Sequence, residues 1–102
     1  MEQDTKVVTI CGSMRYSKEM MKIAWDLEVK KGYSVIQCVY NTENEDCNNL
    51  DFNMLDKLHK KKIDLSDAIY VVNINGYIGN SAKSEIEYAL KNGKEVIYHE
   101  NI

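Results

Sequence analysis

Apolar residues fall along this chain in two rhythms: short β-branched runs alternate with stretches whose apolar residues return every three or four positions. The first run, Lys6-Val7-Val8-Thr9-Ile10-Cys11, ends at Gly12 and reads as a buried strand. Ser17 then stands as a helix N-cap with Glu19 in the first turn. Met20, Ile23, Ala24 and Leu27 follow at helical spacing, and Gly32 ends the helix. Tyr33 to Val39 predicts a second strand, whose mixed polarity suits a place near an edge. Residues 41–49 are rich in Asn, Asp and Glu and predict a mobile loop facing whatever enters a cleft. Leu50 to Ile63 predicts a second helix with Met54, Leu55 and Leu58 on its inner side. Ala68 to Ile74 is the most continuously apolar run and should be a central strand. A third helix spans about Asn80 to Asn92, with the stripe Ala82, Ile86, Ala89 and Leu90, and Gly93 closes it. Glu95 to Tyr98 is the last strand.

Strands alternating with helices imply an α/β fold: a parallel sheet, right-handed crossovers and helices on both faces. Four strands fit a three-layer flavodoxin- or Rossmann-like domain with strand order about 2-1-3-4. In such sheets ligands sit beyond the carboxyl ends of the strands, where the order reverses between the first and third. Two loops should therefore lie side by side, Gly12 to Tyr16 and Asn75 to Ser81. With 102 residues, no proline, no internal repeat and no low-complexity segment, one domain over residues 1–102 is expected.

Composition narrows the classes of partner. A net charge of −3 gives no basic surface for a nucleic-acid polymer. The longest apolar runs are strand-length, so no membrane partner is expected, and the N-terminus lacks the pattern of a secretory signal. Cys11, Cys38 and Cys47 are odd in number and without CxxC spacing, which reads as reduced thiols in a cytoplasm and argues against zinc. His59 and His99 are far apart and form no metal motif. No metal and no cofactor is expected.

Chemistry concentrates in the two loops. Gly76-Tyr77-Ile78-Gly79-Asn80-Ser81 leaves the apolar strand, and the following helix carries Glu85. A glycine-punctuated turn admits a ligand to the backbone, and free N–H groups of the helix favour anions. A carboxylate in that field should stay ionised near neutral pH, as a nucleophile or a stabiliser of positive charge; alternatively Glu85 is a solvated helix acid. Helical phase puts Glu85 at the margin of the apolar stripe and Glu87 further towards solvent. Gly12, Ser13, Arg15 and neighbouring hydroxyls suit a phosphate, or form a tight turn with a surface arginine. The loop is neither a Walker A loop nor GxGxxG. His59 is either amphipathic packing or an acid or ligand contact, and Lys60-Lys61-Lys62 reads as a solvated helix end. Asp67 reads as a turn or cap residue, and Asp64 either likewise or as a group approaching the cleft. Tyr77 either stacks on a planar ring or covers the core edge.

Cys11-Gly12-Ser13-Met14-Arg15 resembles the CGSxR opening of 2′-deoxynucleoside 5′-phosphate N-hydrolases. Glu85-Ile86-Glu87-Tyr88-Ala89 with Gly93-Lys94 resembles the nucleophile helix of the wider nucleoside 2-deoxyribosyltransferase family. Leu58 to Asp64 and Gly76 to Ala89 are similar to segments of small bacterial and phage proteins of that kind, and the likeness is weakest from Asn41 to Phe52. It implies a retaining reaction on an N-glycosidic bond of a nucleotide or nucleoside, Glu85 attacking C1′ or stabilising an oxocarbenium-like state. Water or a second base then takes the sugar. It further implies that Ser13 and Arg15, with Ser81, hold a 5′-phosphate, and that a homo-oligomer, dimeric or higher, completes the pocket. The position of the aspartate such proteins often carry before the central strand falls near His59 here, so that acid is either absent or replaced by Asp64 or Asp56. A second class of function open to the chain is a catalytically inactive nucleotide-binding or sensing module, and a third is a flavodoxin-like redox or partner-binding domain.

Overall fold

The computed structural model describes residues 5–101. In chain order the elements are β1 (Val7–Gly12), α1 (Ser17–Lys31), β2 (Ser34–Ile36), α2 (Phe52–Asp64), β3 (Ala68–Val72), α3 (Asn80–Lys91) and β4 (Glu95–Tyr98). Two 3-10 turns, Met14–Tyr16 and Ile74–Gly76, follow β1 and β3. The four strands are parallel in the order β2-β1-β3-β4. Three helices pack against the sheet in a Rossmann- or flavodoxin-like arrangement.

The two faces of the sheet are sorted by the alternation of the strands. Val8 and Ile10 of β1, with Ala68, Tyr70 and Val72 of β3, pack against Met20, Ile23, Ala24 and Leu27 of α1. Cys11, Ile69 and Val71 turn to the other face, against Ile63 of α2 and Ala89 of α3. All five residues of β3 are buried, as its continuous apolar run requires of a central strand. β2 is an edge strand of three residues, shorter than its sequence suggested.

Local signals hold at most boundaries and fail at three places. Gly32 ends α1 with φ 71°, and Gly93 follows α3 with φ 72°, the left-handed conformation that glycine adopts at least cost. Ser17 is not the cap of α1 but its first residue; Ser13 caps the 3-10 turn ahead of it, accepting from the Arg15 N–H at 3.3 Å. α2 begins behind Asp51, whose carboxylate accepts from the Met54 N–H at 3.0 Å. Its inner side is not Met54 and Leu58, which are about half exposed, but Leu55, His59 and Ile63 at four-residue spacing. Ile63 is wholly buried against Ile69 and Val71, so the residues one and two turns back must face the sheet too. On α3, Leu90 is exposed, and Glu85 takes a buried place in the stripe.

Buried polar pairs fasten these layers. The Thr9 hydroxyl donates to the Lys62 carbonyl at 3.1 Å and contacts the Ser66 hydroxyl, tying the end of α2 to β1. Asp67 is a turn residue, accepting from the Val7 N–H at 2.8 Å. Asn73, wholly buried beyond β3, donates to the Glu100 carbonyl at 3.0 Å and accepts from the Glu100 N–H at 2.7 Å.

Candidate functional site

A cleft of about 420 Å³ opens beyond the carboxyl ends of β1 and β3. Gly12, Ser13 and Met14 form one wall, and Tyr77, Gly79, Asn80 and Ser81 form the other. Cys38 and Phe52 also line it, with His59 and Glu85. The topology rule thus brings the two loops to one crevice, at the point where the strand order reverses.

Glu85 is 8% exposed and Cys11 1%. Cys11 ends up beside Glu85 because its parity in β1 points it to the face covered by α2 and α3. The Cys11 Sγ lies 3.5 Å from His59 Nε2, and His59 Nε2 lies 3.6 Å from a Glu85 carboxylate oxygen. The three donors, from β1, α2 and α3, lie within 4.8 Å of one another. They form a possible small-molecule binding site.

Burial sets the charge state of this cluster. It pushes the Glu85 carboxyl up to about 7, the Cys11 hydrogen bond acting weakly the other way, then Asp56 adding to the rise and Lys60 opposing it. The expected ionised form of Glu85 therefore shares neutral pH with the protonated one: six residues into α3, the group is governed by lost hydration rather than by the helix terminus. Burial lowers the His59 pKa, and Lys62 lowers it further, against a smaller opposing effect of Asp56. Burial, then the Glu85 charge and hydrogen bond, push the Cys11 thiol well up. Near neutral pH the thiol and the imidazole are thus held uncharged, while the Glu85 carboxyl is shared between its protonated and ionised forms.

The other candidate residues divide by position. Gly12, Ser13, Tyr77, Gly79, Ser81 and His59 line the cleft with Glu85. Arg15 is exposed and stacks its guanidinium over the Tyr77 ring, 4.2 Å from the centroid. Tyr16 meets the same ring edge-on at 6.3 Å between centroids. Tyr77 is thus held by these groups while one side of it borders the cleft. Gly76 stays in the turn at φ 77°, next to Asn75 at φ 55°, and shapes the loop rather than lining the cleft. Asp64 is at the far end of α2, near the amino ends of the strands. It accepts from the Tyr88 hydroxyl at 2.6 Å, its carbonyl accepts from Lys94 at 3.2 Å, and it is not among the lining residues. Residues 41–49 are exposed and contribute no lining residue.

Cys11 and Cys38 are the thiol-bearing site residues that sequence reasoning passed over, along with Met14, Phe52, Asn80 and Ala82 of the cleft lining. For Cys11 the signal was available: it shares Thr9's parity, opposite to Val8 and Ile10. Cys38 follows β2 and carries no comparable pattern. All three cysteines are free thiols.

No protein-family model matches the chain, and no curated protein does. The fold is similar to the crystal structure of a conserved protein from Enterococcus faecalis V583, with a TM-score of 0.65 and 17% identity. That likeness covers 93% of this chain and 63% of the other, so the chain spans less than two thirds of that protein's length. At this identity it bears on the fold alone. Among the described residues no helix is long and apolar enough to cross a membrane.

Proposed function

We propose that this chain cleaves or transfers the N-glycosidic bond of a nucleoside 5′-monophosphate or nucleoside, with Glu85 as nucleophile. One observation carries the reading: a buried carboxyl group lies in a cleft whose walls are the two glycine-bearing loops, beside an imidazole. The resemblance of Cys11 to Arg15 and of Glu85 to Ala89 to the nucleoside 2-deoxyribosyltransferase family supplies the class of substrate.

The protonated form of Glu85 suggests how the reaction starts. Glu85 passes its proton to His59, 3.6 Å away, giving a carboxylate and an imidazolium together. A Glu85 oxygen then bonds to C1′ as the C1′–N bond breaks. The electron pair leaves with the base nitrogen, which takes the proton from His59. Water, or a second base, then gives a proton to the now neutral His59 and bonds to C1′ as the C1′–O bond to Glu85 breaks, the electron pair returning to the carboxylate. In this scheme Ser13, Ser81 and Arg15 hold the 5′-phosphate and Tyr77 borders the base.

A second reading, a nucleotide-binding module without catalysis, is favoured by one specific feature. Glu85 is the only carboxylate among the lining residues, whereas retaining glycosidases use a pair. Incubation with a panel of nucleoside monophosphates, monitored for free base, separates the two. Base release that disappears in Glu85→Ala and Glu85→Gln supports the enzyme. Tight binding by calorimetry with no base released supports the module.

A further inference from the structure

We propose that Cys11, His59 and Glu85 form a site for a zinc-class divalent cation, with the fourth coordination position open to the cleft.

Geometry is the first support. A tetrahedral ion with bonds of about 2.0–2.3 Å to S, N and O donors requires donors roughly 3.3–3.8 Å apart. Two of the three separations here are 3.5 and 3.6 Å, and the third pair lies within 4.8 Å. The donors come from a strand and two helices packed on one face of the sheet, so the backbone fixes their approach.

The donor set is the second support. One sulfur, one imidazole nitrogen and one carboxylate match a borderline-soft ion better than magnesium or calcium, which prefer all-oxygen shells. Three protein ligands with a fourth position left to water or substrate is the pattern of open zinc sites rather than closed structural ones.

Charge balance is the third. Side-chain exposure is 12% at His59 and 11% at Glu85, and Cys11 is buried, so isolated charges are costly there. A thiolate, a carboxylate and a neutral imidazole around a doubly charged cation sum to zero. On binding, the Cys11 S–H bond gives its proton to solvent, as does Glu85 where it is protonated, and sulfur and oxygen donate lone pairs to the ion. No electron is transferred.

The site does not rest on the glycosidic reading. If both hold, the ion occupies the oxygen that would attack C1′, and metal-loaded protein is silent until chelated.

Cobalt(II) is the probe, because zinc is spectroscopically mute. Reduced, chelator-treated full chain, freed of chelator, is titrated with cobalt chloride. The expected result is one equivalent bound, with visible ligand-field bands of tetrahedral cobalt and a near-ultraviolet thiolate-to-cobalt charge-transfer band, all displaced by zinc. Cys11→Ser should abolish the charge-transfer band, while Cys47→Ser, at an exposed cysteine, should leave it intact. Should Cys11→Ser fail to fold by circular dichroism, His59→Asn serves instead and should weaken cobalt binding by more than about tenfold. Absence of a tetrahedral spectrum overturns the proposal. So does a spectrum that survives in both folded variants, or one that disappears with Cys47→Ser. Base release by the metal-free protein is scored separately, so failure of either idea is read without the other.

Discussion

The Glu85 carboxyl group has almost no water around it, and that has a measurable thermodynamic consequence. Its pKa rises from an ordinary 4.5 to about 7, so between those values the folded chain holds a proton that the unfolded chain has released. Stability therefore falls as pH rises through that window, and the full cost is present above it. At about 1.4 kcal/mol per pKa unit the displacement corresponds to at most roughly 3.5 kcal/mol. Glu85→Gln should then stabilise metal-free protein by about 1–3 kcal/mol at pH 8 and by much less at pH 4.5. Chemical denaturation at the two pH values reads this directly, and equal effects at both would remove the account. The same substitution should abolish base release. Arg15 gives the second prediction at this scale. If it holds a 5′-phosphate, Arg15→Ala weakens nucleotide binding by about 1.5–3 kcal/mol and leaves nucleoside binding nearly unchanged. Calorimetry with both ligands would expose equal losses, which would leave no phosphate clamp.

Elements place these residues, and their legibility in the sequence varied for physical reasons. β1, β3 and the loops after them were readable because continuous apolar runs and glycines are local signals. The phase of α2 was not, because Met54 and Leu58 look like core residues while His59 looks like solvent-facing chemistry. What fixes the phase is Ile63 against β3, a contact between residues distant in the chain. The Cys11–His59–Glu85 cluster stayed hidden likewise, its members separated by long stretches of sequence and joined by layer packing. Two substitutions test how firmly the elements hold the site. A Cβ on Gly12 would meet Val72 Cβ and Met20 Sδ, each at 3.2 Å, so Gly12→Ala should cost about 1–3 kcal/mol by overpacking. Asn73→Ala removes both side-chain bonds from the end of β3 to the Glu100 backbone, leaving the Val71–His99 backbone bond in place. It should destabilise by about 2–3 kcal/mol, leaving Glu100 backbone groups unpaired. Urea denaturation measures both. Asn73→Ala should also disturb the turn before Tyr77, because the Glu100 side chain accepts from the Asn75 N–H at 3.1 Å.

At the scale of the molecule, the outer face of α1 carries Met21, Trp25 and Val29 at four-residue spacing, with Trp25 64% exposed. If the chain forms the homo-oligomer expected from the sequence, this exposed apolar face is where a second copy would pack. Sedimentation velocity should find native protein heavier than a monomer and Trp25→Glu returned to one; a native monomer ends that expectation. Across the sheet's carboxyl end, the guanidinium seated over a tyrosine ring has a subtler effect. A phosphate drawn to Arg15 finds a cation already engaged, so capture is an exchange of partners and its measured strength is net of the embrace it disrupts. Releasing the cation with Tyr77→Leu should therefore strengthen inorganic phosphate binding severalfold, given about 0.5–1 kcal/mol for such an exposed stack. A nucleotide that also leans its base on that ring should respond in the opposite sense, which makes a single tyrosine the dial between greeting an anion and keeping its owner.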